Sequence, residues 1–224
     1  MIAFIDCFIE TPVHHCFNQF VQNTHIPATY HMVSHYGLDS LELVAEKTKA
    51  YIILGSASNV DHQLSWHRPL AEFIDKKLKE GIPVMGICFG HQLMADFYGS
   101  KVSYLTVDQT HFKEVREIKF CKDFDHFKTG ETVKLAYAHE QAILELSDQF
   151  EIIASSKRSN FEVIKHKTLP YLSTQAHPEA SAKFIQEILN SDNDEGTIGA
   201  GQQFLLSFLN YFQIDYPQDS NQPQ

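Results

Sequence analysis

The sequence predicts an α/β fold: a doubly wound, mixed but mainly parallel sheet flanked by helices, with a small subsidiary antiparallel sheet. Three observations lead there. Up to residue 98, short apolar runs alternate with helical patterns, the arrangement of parallel strands joined by crossover helices. The clearest of these runs, residues 50–56 (AYIILGS), is β-branched and apolar on both faces, as a strand covered on both sides must be. From 101 to 177 the alternation gives way to strand-like segments close enough together to pair antiparallel.

Taken in order, residues 1–8 read as a buried first strand, His14 to Gln22 as a helix and 28–35 as a second strand. Residues 40–47 read as a short helix with Asp39 or Ser40 as its N-cap. After strand 50–56, Pro69 sits near the start of a helix running to Glu80, and Gly81 is placed to end it. Residues 83–88 form the next strand and 90–98 a helix. The segments 101–105, 114–120, 132–139, 150–156, 161–166 and 171–177 are strand-like. Helices return at about 180–190 and 201–213, separated by a polar loop over 191–201. Residues 1–216 read as a single domain and 217–224 as a disordered tail.

Bulk properties narrow the function. With 18 basic and 28 acidic residues the net charge is −10, so a polyanion such as DNA or RNA is repelled by the average field. No apolar run approaches the roughly 20 residues of a membrane span. Residues 1–8 lack a basic leader and reach Asp6 at once, unlike a signal peptide. Cys7, Cys16, Cys88 and Cys121 are irregularly spaced, which suits free thiols in a reducing cytoplasm. No metal or cofactor is expected. The neighbours His14, His15 and Cys16 would point in different directions on a helix and have no partner pair at zinc-site spacing.

The chemistry is concentrated in two motifs. In residues 84–92 (VMGICFGHQ) a buried strand runs into Gly86-Ile87-Cys88-Phe89-Gly90 and then a helix. This is the cysteine form of a nucleophile elbow, in which flanking glycines free a sharp strand-to-helix turn of side-chain clashes. It holds Cys88 beyond the carboxyl end of a strand, where open α/β sheets bind ligands, and aims a helix N-terminus at the sulfur, which favours thiolate. Downstream comes His177-Pro178-Glu179. His177 can take the thiol proton and return it to a leaving amine. Glu179 can orient the imidazole, with Pro178 restricting the backbone between them.

The elbow followed by His-Pro-Glu resembles the class I (triad-type) glutamine amidotransferase family, in particular its free-standing members similar to the amidotransferase half of GMP synthase, plant γ-glutamyl peptidases included. The resemblance covers about residues 1–190 and implies a flavodoxin-like fold. It implies a Cys88, His177, Glu179 triad that opens a γ-glutamyl amide through a thioester on Cys88. It implies an oxyanion hole from the backbone N–H groups of Ser56 and Phe89, although Ser56 and Ala57 stand where the family has Gly and Pro after Gly55. Gln92 matches a substrate-holding glutamine, and residues 138–142 (AHEQA) resemble a substrate loop; the binding candidates are Gly55 of the oxyanion-hole loop, Gln92, and His139, Glu140 and Gln141.

The expected activity is a cysteine hydrolase acting on L-glutamine or a γ-glutamyl compound. Two alternatives stand beside it: a glutaminase subunit feeding ammonia to a separate synthetase partner, and a silent binding module of the same fold. The chain has no GxxxxGK[ST] nucleotide loop, so an ATP-driven step would belong to another protein.

Overall fold

The β/α alternation of the first hundred residues closes into a parallel sheet in the computed structural model, which describes residues 1–12, 14–189 and 194–215. Strands β1 (Ile2–Asp6), β2 (Ala28–Met32), β3 (Ala50–Ile53) and β4 (Val84–Ile87) lie in the order β2-β1-β3-β4. Two short strands, β5 (Lys101–Tyr104) and β8 (Gln141–Glu145), pair antiparallel as a separate sheet. The long hairpin of β6 (Phe112–Phe120) and β7 (Thr132–His139) returns to the main sheet, followed by β9 (Phe150–Ser155), β10 (Val163–His166) and β11 (Tyr171–Thr174). β11 joins β4 in parallel, and β10, β9, β6 and β7 continue antiparallel to complete nine strands.

Successive strand residues point to opposite faces, and the core divides accordingly. Ile2, Phe4, Ile52, Met85 and Leu172 meet Phe20 of α1 (His14–Thr24) and Phe204, Leu205 and Phe208 of α7 (Glu195–Tyr211). Ala3, Ile5, Tyr51, Ile53 and Val84 meet Leu70, Ile74 and Leu78 of α4 (His67–Lys79) and Leu93 and Met94 of α5 (Phe89–Phe97). Each fully buried Leu, Ile or Phe contributes about 1.5–3 kcal/mol. With both faces covered, the ends of the parallel strands are where chemistry-bearing side chains can remain accessible.

The expected helix over 90–98 is α5, and α4 ends at Gly81 (φ +84°), whose N–H donates to the Leu78 carbonyl. Four expectations are corrected. The second strand stops at Met32, and Val33–Tyr36 turn into the short helix α2. Helix α3 (Asp39–Val44) has Leu38 at its N-cap with no side-chain cap, so Asp39 instead complements the dipole from inside the first turn. Strand β8 occupies a stretch without an expected element; only its first three residues are buried, too short an apolar signal to stand out.

The fourth correction is the largest. Helix α7 begins at Glu195, so 195–201 is helix rather than polar loop; 191–193 and the tail 217–224 lie outside the described residues. Asp194 caps it, accepting from the Thr197 N–H at 3.0 Å and the Thr197 hydroxyl at 2.6 Å. Of the glycines that suggested a loop, Gly201 serves close packing: a Cβ on it would lie 2.5 Å from the Pro178 carbonyl oxygen. Helix α6 (Ala182–Ile188) is similarly capped, Ser181 accepting from the Phe184 N–H. Gly201→Ala is therefore expected to destabilise the protein by about 1–3 kcal/mol through overpacking. Gly199→Ala, where nothing lies within 4 Å, should gain up to about 1 kcal/mol of helix propensity; urea unfolding of the pair checks the contrast.

Candidate active site

Cys88 is the residue where β4 becomes α5. Its backbone takes φ +49° and ψ −99°, a conformation that costs a non-glycine residue about 1–3 kcal/mol. Neighbouring structure holds it there. The Cys88 N–H donates to the Thr174 carbonyl at the end of β11 (2.9 Å), and the Cys88 carbonyl accepts from the Gln92 N–H (3.1 Å). The elbow glycines permit the approach: a Cβ on Gly90 would lie 2.7 Å from the Ile53 carbonyl oxygen, and one on Gly86 would collide with the Tyr171 hydroxyl. That hydroxyl donates to the Gly90 carbonyl at 3.0 Å. Cys88 is buried, and its sulfur sits 3.7 Å from the Ala138 carbonyl oxygen.

β11 delivers the second motif to the same place. The His177 Nδ1 and Glu179 Oε1 are 2.8 Å apart and both side chains are buried. The carboxylate accepts, so the proton is on Nδ1 and Nε2 is left to face the site. Nε2 has no hydrogen-bond partner among the described residues. The His177 backbone N–H donates to the Ala136 carbonyl (2.8 Å), which clamps this loop to the edge of β7. Gly55, just past β3, explains how the imidazole and the thiol come together: a Cβ there would lie 2.9 Å from His177 Cε1 and 3.6 Å from Cys88 Cβ. Burial works against a charged imidazole, yet the Glu179 carboxylate and the Cys88 sulfur together outweigh it and hold the His177 pKa well above its ordinary value.

A cleft of about 270 Å³ opens beside Cys88. Ser56, Ala57, Ser58 and Asn59 form one wall, and Ala138 to Gln141 with His111 form the other. A cysteine at a strained elbow, a histidine–carboxylate pair across a glycine from it and a cleft that the cysteine lines stand together. Residues 4–191 match the family model of class-I glutamine amidotransferases. The chain belongs to that family.

Relatives give the same picture. A subunit of the glutamine-hydrolyzing GMP synthase of Methanosphaera stadtmanae is 26% identical over 160 residues, 71% of this chain and 76% of that one. Its counterpart in Methanocaldococcus jannaschii is 34% identical over 120 residues, 53% of this chain and 62% of that one. The crystal structure of a glutamine amidotransferase from Thermotoga maritima shares the fold with a TM-score of 0.75 at 16% identity, over 96% of this chain and 99% of that one.

In this amidotransferase Gln92, His139, Glu140 and Gln141, expected to touch substrate, line the cleft while Gly55 packs on His177 and Cys88, and several of the polar groups are engaged internally. The Gln92 amide NH₂ donates to the Gln141 carbonyl (2.6 Å) and to Gln175 Oε1 (3.0 Å). His139 lies between the Arg116 guanidinium (Nη2 to Nε2, 3.2 Å) and the Gln141 carbonyl (Nδ1, 2.9 Å). Arginine only donates, so Nε2 accepts and the Nδ1–H donates to Gln141. Burial, with the Arg116 cation adding to it, depresses the His139 pKa to about 3. Glu140 Oε1 accepts from the Asn59 side-chain amide at 2.6 Å. Gln141 differs: its side chain is buried against the cleft, and neither amide atom has a partner among the described residues.

Ser56 carries no positive φ, so this position does not need glycine's conformational freedom. Phe89, whose N–H begins α5, packs its ring near Trp66 and His67. The His14-His15-Cys16 cluster lies elsewhere; His15 Nδ1 meets the Ser181 hydroxyl at 2.8 Å and docks α1 on the loop after Glu179. Among the described residues no helix is long and apolar enough to cross a membrane.

Sequence reasoning missed Arg116, Asn59, His111 and Gln175. Arg116 left a readable signal, because it shares its face of β6 with the buried Ile118 and Phe120. A cation on a core face needs a partner, and Glu162, fully buried, supplies one at 2.8 Å. Asn59 and Gln175 are distant in sequence from their partners and left none.

The two most depressed histidines make stability pH-dependent. Burial holds His91 at a pKa of about 3, like His139, against an ordinary 6.5. The unfolded chain therefore binds protons more readily across that window, so their contribution is complete above about 6.5 and is lost as pH falls towards 3. Urea midpoints should fall on acidification. In His91→Asn, which can keep a hydrogen bond to Ser173 Oγ (2.8 Å from His91 Nδ1), the fall should be shallower.

Proposed function

We propose that this protein hydrolyses a γ-glutamyl amide, L-glutamine or a γ-glutamyl compound, with Cys88 as nucleophile, His177 as acid and base, and Glu179 as the residue that orients and charges His177. One observation carries the reading: the cysteine held at φ +49° opens onto a cleft beside a buried histidine bonded to a carboxylate at 2.8 Å. A buried cysteine kept for packing has no need of that backbone strain, and a buried imidazole kept for structure has no need of a free Nε2.

In the proposed reaction the Cys88 thiol gives its proton to His177 Nε2 and the sulfur attacks the γ-carbonyl carbon. The N–H groups of Ser56 and Phe89 receive the oxyanion. His177 returns the proton to the nitrogen as the C–N bond breaks, and ammonia or an amine leaves. A water molecule then gives a proton to His177 and attacks the thioester, and glutamate departs as the sulfur recovers its proton. Gln92 and His139 act by fixing the Gln141 carbonyl from two sides. Glu140 and the unpartnered Gln141 amide offer polar atoms to the glutamyl amino-acid end, while Gly55, with no side chain, lets the His177 ring lie beside Cys88. No step calls for a metal or a cofactor.

A second reading is favoured by the names of the archaeal relatives, which are subunits of GMP synthase. Here the same hydrolysis supplies ammonia to a separate synthetase chain. In that case glutamine is the substrate and turnover by the isolated chain is slow until the partner is added.

Release of ammonia and glutamate from L-glutamine and γ-glutamyl dipeptides tests both readings. Cys88→Ala is expected to reduce turnover by about 10³-fold or more. Turnover of dipeptides above glutamine supports a free-standing hydrolase, and weak, Cys88-dependent turnover of glutamine alone supports the role of ammonia donor to a synthetase. If neither substrate class is turned over and a glutamine-analogue electrophile leaves Cys88 unlabelled, the hydrolase reading fails.

The elevated His177 pKa gives a second test. The imidazolium serves as acid, so activity is lost as pH rises through that pKa. Glu179 raises it; Glu179→Gln should lower it, moving the alkaline limb of kcat/KM to lower pH and reducing kcat by about 10²–10⁴-fold. An unmoved alkaline limb would show that Glu179 does not set the charge of His177.

A further inference from the structure

We propose that the side chain of Ser56 is a positioning residue for acyl transfer: its hydroxyl fixes the loop that presents the Ser56 backbone N–H to the reacting carbonyl. The inference rests on the hydrolase reading above and concerns the side chain, which that reading leaves without a task.

The hydroxyl is fully engaged. It donates to the Cys7 carbonyl at 2.6 Å, accepts from the Ser58 backbone N–H at 3.0 Å, and lies 2.9 Å from the Ser58 hydroxyl. A serine hydroxyl has one donor and two acceptor sites, and three partners use them all. Those partners belong to different parts of the fold. Cys7 is buried just beyond β1, and the buried Ser58 hydroxyl lies 3.3 Å from Nε2 of the buried His67, the first residue of α4. The Ser56 hydroxyl thus ties the ends of β1 and β3 and the start of α4 around one short loop.

The loop is anchored at its ends by the Leu54 N–H on the Ile5 carbonyl (2.9 Å) and by the Asn59 side-chain amide on Glu140 (2.6 Å). Between them the Ser56 hydroxyl makes the side-chain bonds. Residues 54–57 lie in neither helix nor strand, Ala57 is exposed, and Ser56 itself is only half-buried. An oxyanion donor works only if it is already in place when charge develops. A methyl or hydrogen in place of the hydroxyl would leave the Cys7 carbonyl and the Ser58 N–H without this partner, and the loop would have to rearrange to satisfy them. The Ser56 N–H would then be aimed less well in the transition state, while the walls that bind the ground-state substrate would remain.

The test compares Ser56→Ala, Ser56→Thr and wild type. Since removal of a whole oxyanion donor costs about 10²–10³-fold in kcat, a donor only loosened in Ser56→Ala should cost on the order of ten-fold, with KM within about twofold. Ser56→Thr retains the hydroxyl and should restore kcat to within about threefold of wild type. Amide hydrogen exchange at Ser58 should accelerate in the alanine variant and not in the threonine variant. Ser56→Cys, of similar shape with a weaker donor, takes the place of alanine if the latter does not fold. A kcat for the alanine variant within twofold of wild type, a rise in KM alone, or unchanged Ser58 exchange would each overturn the proposal. If wild type turns over no γ-glutamyl amide, the hydrolase reading itself has failed; Ser58 exchange still decides whether the hydroxyl holds the loop.

Discussion

The left-handed backbone of Cys88 is the constraint on which the rest of the site depends. A residue with a side chain stays at φ +49° only if its surroundings over-determine it. Here β3 on one side and β11 on the other supply that force, through the close fit of Gly90 on Ile53 and the bond from Cys88 to Thr174. Those two strands are also the ones whose ends carry Gly55 and His177. The packing that strains the cysteine therefore also sets the distance between thiol, imidazole and the loop over 54–57. A shift of either strand would disturb all three.

The β6–β7 hairpin adds what a bare parallel sheet lacks. Its edge receives the His177 N–H at Ala136, stands against the Cys88 sulfur at Ala138, and ends in residues 139–141 that wall the cleft. Arg116 and Glu162 form the polar core of this wall, a buried ion pair that also fixes the tautomer of His139. A buried ion pair adds little net stability, because desolvation offsets attraction. Its value here is placement: His139 and Gln92 converge on one carbonyl, that of Gln141.

Much of this was legible in the sequence because it depends on local pattern. The β/α alternation placed the parallel strands, and the Gly-x-Cys-x-Gly elbow and the His-Pro-Glu triplet pointed to Cys88, His177 and Glu179, which lie at the ends of neighbouring strands. What escaped was set by contacts between distant segments. The helix through Gly196, Gly199 and Gly201 reads as a loop until Pro178 is seen against it. The use of Gln92 and His139 as braces depends on Gln141, Gln175 and Arg116 arriving from three other elements. At position 56, serine in place of the family's glycine looks like a defect in sequence; in space its hydroxyl bonds Cys7 and Ser58.

The central claim is that Cys88 carries the γ-glutamyl group between the two halves of the reaction. Acid quenching of the protein during incubation with L-glutamine or a γ-glutamyl dipeptide, followed by mass spectrometry of the peptide containing Cys88, tests it directly. The account predicts a γ-glutamyl adduct on that peptide, labile to hydroxylamine and accumulating when the water-dependent step is slowed. Turnover with no adduct at Cys88, or an adduct on Cys7, Cys16 or Cys121 instead, would contradict it.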